Sequence, residues 1–175
     1  MKHAYLGLGS NLGDRVNYLK RSLELLSSRP EVKIAALSSL YETEPVGGPA
    51  QGPFLNACAV ILVELTPVRL LQEMLSIEER LGRVRKKKWG PRVIDLDLLA
   101  YEGITMNTPI LKLPHPLLAE RDFVLIPLGE IAPSLPVLSC GKTVGNLLAS
   151  RKPAEGVKLF HSASWTGFQE KMPAD

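Results

Sequence analysis

The segment from about Val93 to Ala100 has the Val, Ile and Leu content of a buried strand, yet Asp95 and Asp97 sit inside it. In a strand, residues i and i+2 share a face, with Cα atoms ~6.6 Å apart. Two bare carboxylates at about 6 Å repel by about 2.8 kcal/mol at an effective dielectric of 20. That is roughly two pKa units, and an apolar setting adds a desolvation cost. Any fold that buries this strand must bring positive charge to that face. Lysine or arginine would serve. A pair of Mg²⁺ ions fits hard oxygen donors better, as in two-metal phosphoryl chemistry. On this motif alone, an edge strand with both aspartates in water is an equal alternative.

The residues just before the strand favour an anionic ligand. Arg83, Arg85, Lys86, Lys87, Lys88 and Arg92 surround Trp89, and Gly90-Pro91 sets the turn into the strand. Such a run is ordinarily a solvated face. Followed at once by two carboxylates, it suits a polyphosphate, with metal bridging some oxygens and arginine forks holding others. Trp89 offers a stacking surface. No Walker-type loop is present, and "GLGSNLG" lacks the spacing of a dinucleotide fingerprint. The net charge of +3 is too small to argue for nucleic acid. No pattern of an RNA-reading aromatic sheet or of a recognition helix occurs.

The remaining pattern bounds the fold. A strand is expected over "HAYLGLGSN". A helix follows from an Asp14 cap to about Ser28, carried by Val16, Leu19, Leu23 and Leu26. "EVKIAALSSLYET" reads as one strand and "EPVGGPAQGP" as a long Gly/Pro loop. "FLNACAVILVEL" is a third strand. Thr66-Pro67 starts a second helix that ends near Gly82. Short helices are expected near Leu117–Arg121, over Phe123–Ile131 and in "TVGNLLAS". Hydrophobic residues make up 45% of the 175, enough for a core. The expectation is a single α+β domain over 1–150, a mainly antiparallel sheet covered by helices, with an irregular polar tail over 151–175. Cys58 and Cys140 have no metal spacing, the N-terminal stretch is too short and glycine-broken for a secretory leader, and no apolar run spans a bilayer. The chain therefore reads as cytoplasmic and membrane-free, and a monomer is the expectation, although nothing in the sequence dictates oligomeric state.

Four ordered stretches carry a family resemblance: "YLGLGSNLGD", "SSLYETEPVGGPAQGPFLNA", "RVRKKKWGPRVIDLDLL" and "LPHPLLAERDFVLIPLGEIAP". Together they resemble the 6-hydroxymethyl-7,8-dihydropterin pyrophosphokinases of folate biosynthesis. The resemblance implies a ferredoxin-like α/β sandwich that moves pyrophosphate from ATP to the pterin hydroxymethyl group, releasing AMP. It implies that Asp95 and Asp97 hold two Mg²⁺ ions, and that Arg83 and Arg92 stabilise transferred charge. It implies nucleotide contacts from Glu78, Arg83, Arg85, Lys88, Trp89, Arg92, Lys112, His115 and Arg121. For the pterin it implies Thr43, Val46 and Asn56 as hydrogen-bonding positions, with Phe54 and Phe123 stacking on the ring and Trp89 and Asp95 nearby. Gly9, Ser10 and Asn11 fall in a first loop that closes over the site. Lys88, Leu75 and Ile110 stand where family members often or sometimes carry Arg or another polar nucleotide contact. Without the resemblance, Phe123 would read as core, Glu78 as a solvated helix residue, and His115 as an ordered loop residue. The other classes consistent with the residues are an RNA- or anion-binding module and a different Mg-dependent nucleotidyl or phosphoryl transferase.

Overall fold

The structure is a computed structural model that describes residues 1–84 and 90–166. Its frame is β1 (Lys2–Ser10), α1 (Arg15–Ser27), β2 (Val32–Leu37), β3 (Leu40–Thr43), β4 (Phe54–Val63), α2 (Pro67–Arg80) and β5 (Asp95–Tyr101). Both helices start where the sequence places a cap. The Asp14 side chain accepts from the Asn17 N–H, and Thr66 Oγ1 accepts from Arg69 N–H with Pro67 in the first turn. A sixth strand, β6 (Val157–His161), completes the sheet, which runs β6-β3-β4-β1-β5 with β2 also on β4. Every pairing is antiparallel. Strands β1 and β2 flank β4, and β4 and β5 flank β1. Each βαβ crossover therefore spans one intervening strand, and both helices fall on the same face. The expected α+β sandwich is the one observed.

Residue parity sorts the two faces. Leu55, Ala57, Ala59, Ile61 and Val63 of β4 pack with Leu19, Leu23, Leu70 and Met74 of α1 and α2. Cys58 and Val60 point the other way, onto α3 (Asp122–Ile131) and α4 (Val144–Ala149) through Val124, Leu125, Leu128 and Val144. Among the described residues no helix is long and apolar enough to cross a membrane.

Three expectations are corrected. "EVKIAALSSLYET" is two strands, both paired end to end along β4. The break falls at Ser38-Ser39, where the Ser38 hydroxyl accepts from Cys58 N–H at 2.8 Å and donates to the Ser39 carbonyl. Residues 117–120 form turns and not a helix, with Leu118 N–H on the His115 carbonyl at 3.0 Å and Glu120 N–H on the Leu117 carbonyl at 3.1 Å. The segment after Ser150 is not wholly irregular. Val157, Lys158 and Leu159 pair with Thr43, Glu42 and Tyr41. A 3₁₀ turn at Ala163–Thr166 then buries Trp165, whose indole N–H donates to the Ser38 carbonyl at 2.9 Å.

Candidate active site

The ends of β1 and β3 and the starts of β4 and β5 meet at one edge of the sheet. In register, Gly9 lies between Asn56 and Asp95, and Gly7 between Cys58 and Asp97. These residues share the face that α3 covers lower down. Having no side chains, the two glycines leave an open floor, and a cavity of about 1090 Å³, its open mouth included, stands on it. A Cβ on Gly9 would lie 2.9 Å from Asn56 Oδ1. The lining brings together, from separate parts of the sequence, Thr43, Val46, Phe54, Asn56, Arg92, Asp95, Asp97, Arg121 and Phe123. Gly9 and Ser10 themselves belong to β1 and not to a loop.

One end of the cavity offers an amide, a hydroxyl and two aromatic rings. Asn56 and Thr43, both buried, are joined by Nδ2 donating to Oγ1 at 2.6 Å. Phe54 and Phe123 supply aromatic rings, each faced by a guanidinium: Arg92 lies 5.1 Å from the Phe54 centroid and Arg121 5.6 Å from that of Phe123. This end can take a flat, hydrogen-bonding ring system.

The other end is ionic. Arg83 Nη1 lies 2.6 Å from Asp95 Oδ1, Arg92 Nε 2.9 Å from Asp95 Oδ2, and Arg121 Nη1 3.8 Å from Asp97 Oδ2. The positive charge demanded by paired aspartates is thus supplied by three arginines. Burial, then the Asp95 carboxylate, raise the Asp97 pKa to about 6, with Arg121 and Arg92 pulling it down. Its side chain, 38% exposed, opens onto the cavity while protein surrounds the rest. Burial works against the charge of Arg83, but Asp95 and Glu78 outweigh it and raise its pKa. Glu78 is only 2% exposed, so it is not a solvated helix residue. It lines neither cavity. Its carboxylate accepts from Arg83 and, at 2.7 Å, from the Leu96 backbone N–H, bracing α2 against β5.

A second groove opens beside the first, between α2, β5 and the residues 108–116. Leu71, Leu96, Ile110 and Leu111 give it apolar walls, and Lys112 and His115 its polar ones. His115 Nδ1 accepts from Leu117 N–H at 3.1 Å, and burial, then Arg121, lower its pKa. Asp97 lines both spaces. Arg85, Lys88 and Trp89 lie outside the described residues.

Asp95 and Asp97 present hard oxygen donors on one face, and no group of three His, Cys, Asp or Glu side chains among the described residues could hold a metal alone. Two carboxylates suit Mg²⁺, which keeps waters and completes its shell with substrate phosphates. Gly7, Gly9, Gln51 and Glu120 line the cavity without having been singled out as ligand contacts from sequence. Strand parity would have found the glycines, since each lies directly across from an aspartate.

The family model for 7,8-dihydro-6-hydroxymethylpterin-pyrophosphokinase matches residues 5–133. The chain belongs to this family. Relatives named 2-amino-4-hydroxy-6-hydroxymethyldihydropteridine pyrophosphokinase include that of Methylorubrum extorquens, 50% identical over 154 residues, 88% of this chain and 96% of the relative. That of Bacillus subtilis is 40% identical over 161 residues, 92% of each. A crystal structure of Plasmodium falciparum HPPK-DHPS with pteroate superposes with TM-score 0.70 at 15% identity, a likeness of fold. The match covers 90% of this chain and 47% of that one, so this chain spans under half of that one's length.

Proposed function

We propose that this chain transfers the pyrophosphoryl group of ATP to the hydroxymethyl oxygen of 6-hydroxymethyl-7,8-dihydropterin, giving AMP and the pterin diphosphate. It is an ATP-dependent diphosphotransferase of folate biosynthesis. The observation that carries the detailed reading is the place of Asp97 on the wall between two cavities, one aromatic with an amide, the other apolar with Lys112 and His115. The pterin occupies the first, its edge on Asn56, Thr43 and the chain near Val46, its faces against Phe54 and Phe123. The nucleotide occupies the second, with its phosphates reaching Asp97 and the arginines. All the described residues of this reading come from one chain, in keeping with a monomer, and two free thiols suit a cytoplasmic setting.

Asp95 and Asp97 would hold Mg²⁺, two ions in this reading, which when bound neutralises the phosphates and lines up the reacting oxygens. The chain's own part is positioning and charge. Arg83 and Arg92, both paired with Asp95, stand where they can meet the phosphate oxygens as negative charge develops. Arg121 and Phe123 close the far wall. The pterin hydroxyl oxygen forms a bond to the β-phosphorus, the bond from that phosphorus to the α–β bridging oxygen breaks, AMP leaves with the bridging oxygen, and the hydroxyl proton passes to solvent. No protein base is required.

Product analysis tests this. Protein, ATP, Mg²⁺ and the pterin alcohol should yield AMP and pterin diphosphate in equal amounts, each dependent on the metal and on the pterin. ADP or inorganic pyrophosphate as the nucleotide-derived product would sink the reading. The glycine floor gives a second check. Gly9→Ala drives a methyl group onto the Asn56 amide, so KM for the pterin should rise about tenfold, as for loss of one or two aimed hydrogen bonds. KM for ATP should stay within about twofold in the same steady-state assay, since the Asn56 amide lies outside the second groove. An unchanged pterin KM would remove Asn56 from substrate recognition.

A further inference from the structure

Two walls of the first cavity come from segments far apart in sequence: residues 44–53, through Glu44, Val46 and Gln51, and Arg92, three residues before β5 begins at Asp95. Asn11, just past β1 and 7% exposed, stands between them. Its Nδ2 donates to Gln51 Oε1 at 2.9 Å and to the Gly52 carbonyl at 3.1 Å. Its Oδ1 accepts from Arg92 N–H at 2.8 Å, and its own N–H donates to the Arg92 carbonyl at 3.1 Å. The amide orientation is dictated by its partners: a backbone N–H can only donate and a carbonyl can only accept. The joined segments carry the two ends of the site. Gln51 lines the cavity and Gly52 leads into Phe54, while Arg92 reaches Asp95 and lies over the Phe54 ring.

We propose that Asn11 is a positioning residue of the transfer. Its carboxamide fixes the segment that faces the pterin to the backbone that aims Arg92 at the phosphates, so that filling one subsite sets the geometry of the other. Asn11 touches neither substrate in this account. Its effect is a coupling between two binding events, and reciprocity requires that each ligand tighten the other by the same factor. The inference rests on the pyrophosphokinase reading above.

Asn11→Asp separates the two arms of the bridge. It keeps the acceptor for Arg92 N–H but turns an oxygen toward the Gly52 carbonyl, which cannot donate. Asn11→Ala removes both arms. The measurement is pterin affinity by titration, with and without a non-hydrolysable ATP analogue and Mg²⁺, alongside kcat and thermal melting. In both variants each ligand alone should bind within about threefold of wild type, while the mutual enhancement and kcat each fall about tenfold, within the usual range of such couplings. A merely structural asparagine would lower the melting temperature and leave the enhancement intact. Retained enhancement in Asn11→Asp, or independent binding of the two ligands in wild type, overturns the proposal. If neither variant folds, Gln51→Ala weakens the same arm from the exposed segment and must show the same loss of enhancement. Absence of AMP from wild type would sink the pyrophosphokinase reading itself. Wild-type turnover with unchanged coupling in the variants would sink only the role of Asn11.

Discussion

Asp97→Asn is expected to lower turnover by at least about 10³-fold, the scale for losing a group that organises transition-state charge, and to stabilise the ligand-free protein at neutral pH. The second effect follows from its surroundings. Burial and the Asp95 carboxylate raise the Asp97 pKa from 3.8 to about 6. Between those values the folded chain binds a proton that the unfolded chain has lost, so stability falls as pH rises through this window. Above pH 6 the full penalty of an unwelcome charge is present; below pH 4 it is gone. Asparagine keeps the shape without the charge. The gain in melting temperature should therefore be full at pH 7.5 and vanish near pH 3.5, with magnitude limited by solvent at the cavity mouth. Melting curves of both proteins across this range check it. A variant less stable than wild type at pH 7.5 would mean that Arg121 and Arg92 already more than repay the buried charge.

Glu78→Ala should act in the opposite sense. Glu78 is 2% exposed and receives both Arg83 and the Leu96 N–H. Removing one partner of a buried ion pair costs roughly 3–5 kcal/mol, which for a chain of this size lowers the melting temperature by about 10 °C. Glu78→Gln retains an acceptor for Leu96 N–H and should recover part of the loss. Arg83, freed from one anchor, would also hold phosphate less well, so KM for ATP should rise in both variants. If Glu78→Ala raised that KM with no change in melting, the residue would be a nucleotide contact and not a brace.

The long elements were legible because their periodicities are strong. The α1 face of Leu19, Leu23 and Leu26 and the capped start of α2 declare themselves locally. The break at Ser38-Ser39 did not, because two serines also fit a strand, and only pairing across to Cys58 shows the jog. Strand β6 was invisible for a related reason: its partner lies more than a hundred residues earlier, and Leu159 and Phe160 are exposed, so no alternation marks it. In the site, the shared face of Asp95 and Asp97 was predictable from strand parity. That Arg121 reaches Asp97 from the start of α3 was not, since it depends on how α3 docks. Glu78 is the clearest case of tertiary context overriding a default, because glutamate on an amphipathic helix normally faces water.

The indole of Trp165 has a consequence for how ligand binding can be watched. The chain has two tryptophans. Trp165 is packed against Ser38, with its N–H engaged and its ring out of water, an environment that gives blue-shifted emission shielded from aqueous quenchers. Against that steady background, emission that iodide quenches, or that responds when nucleotide or pterin is added, reports on Trp89 without any label. A Trp165→Phe variant would leave the second signal alone in the spectrum.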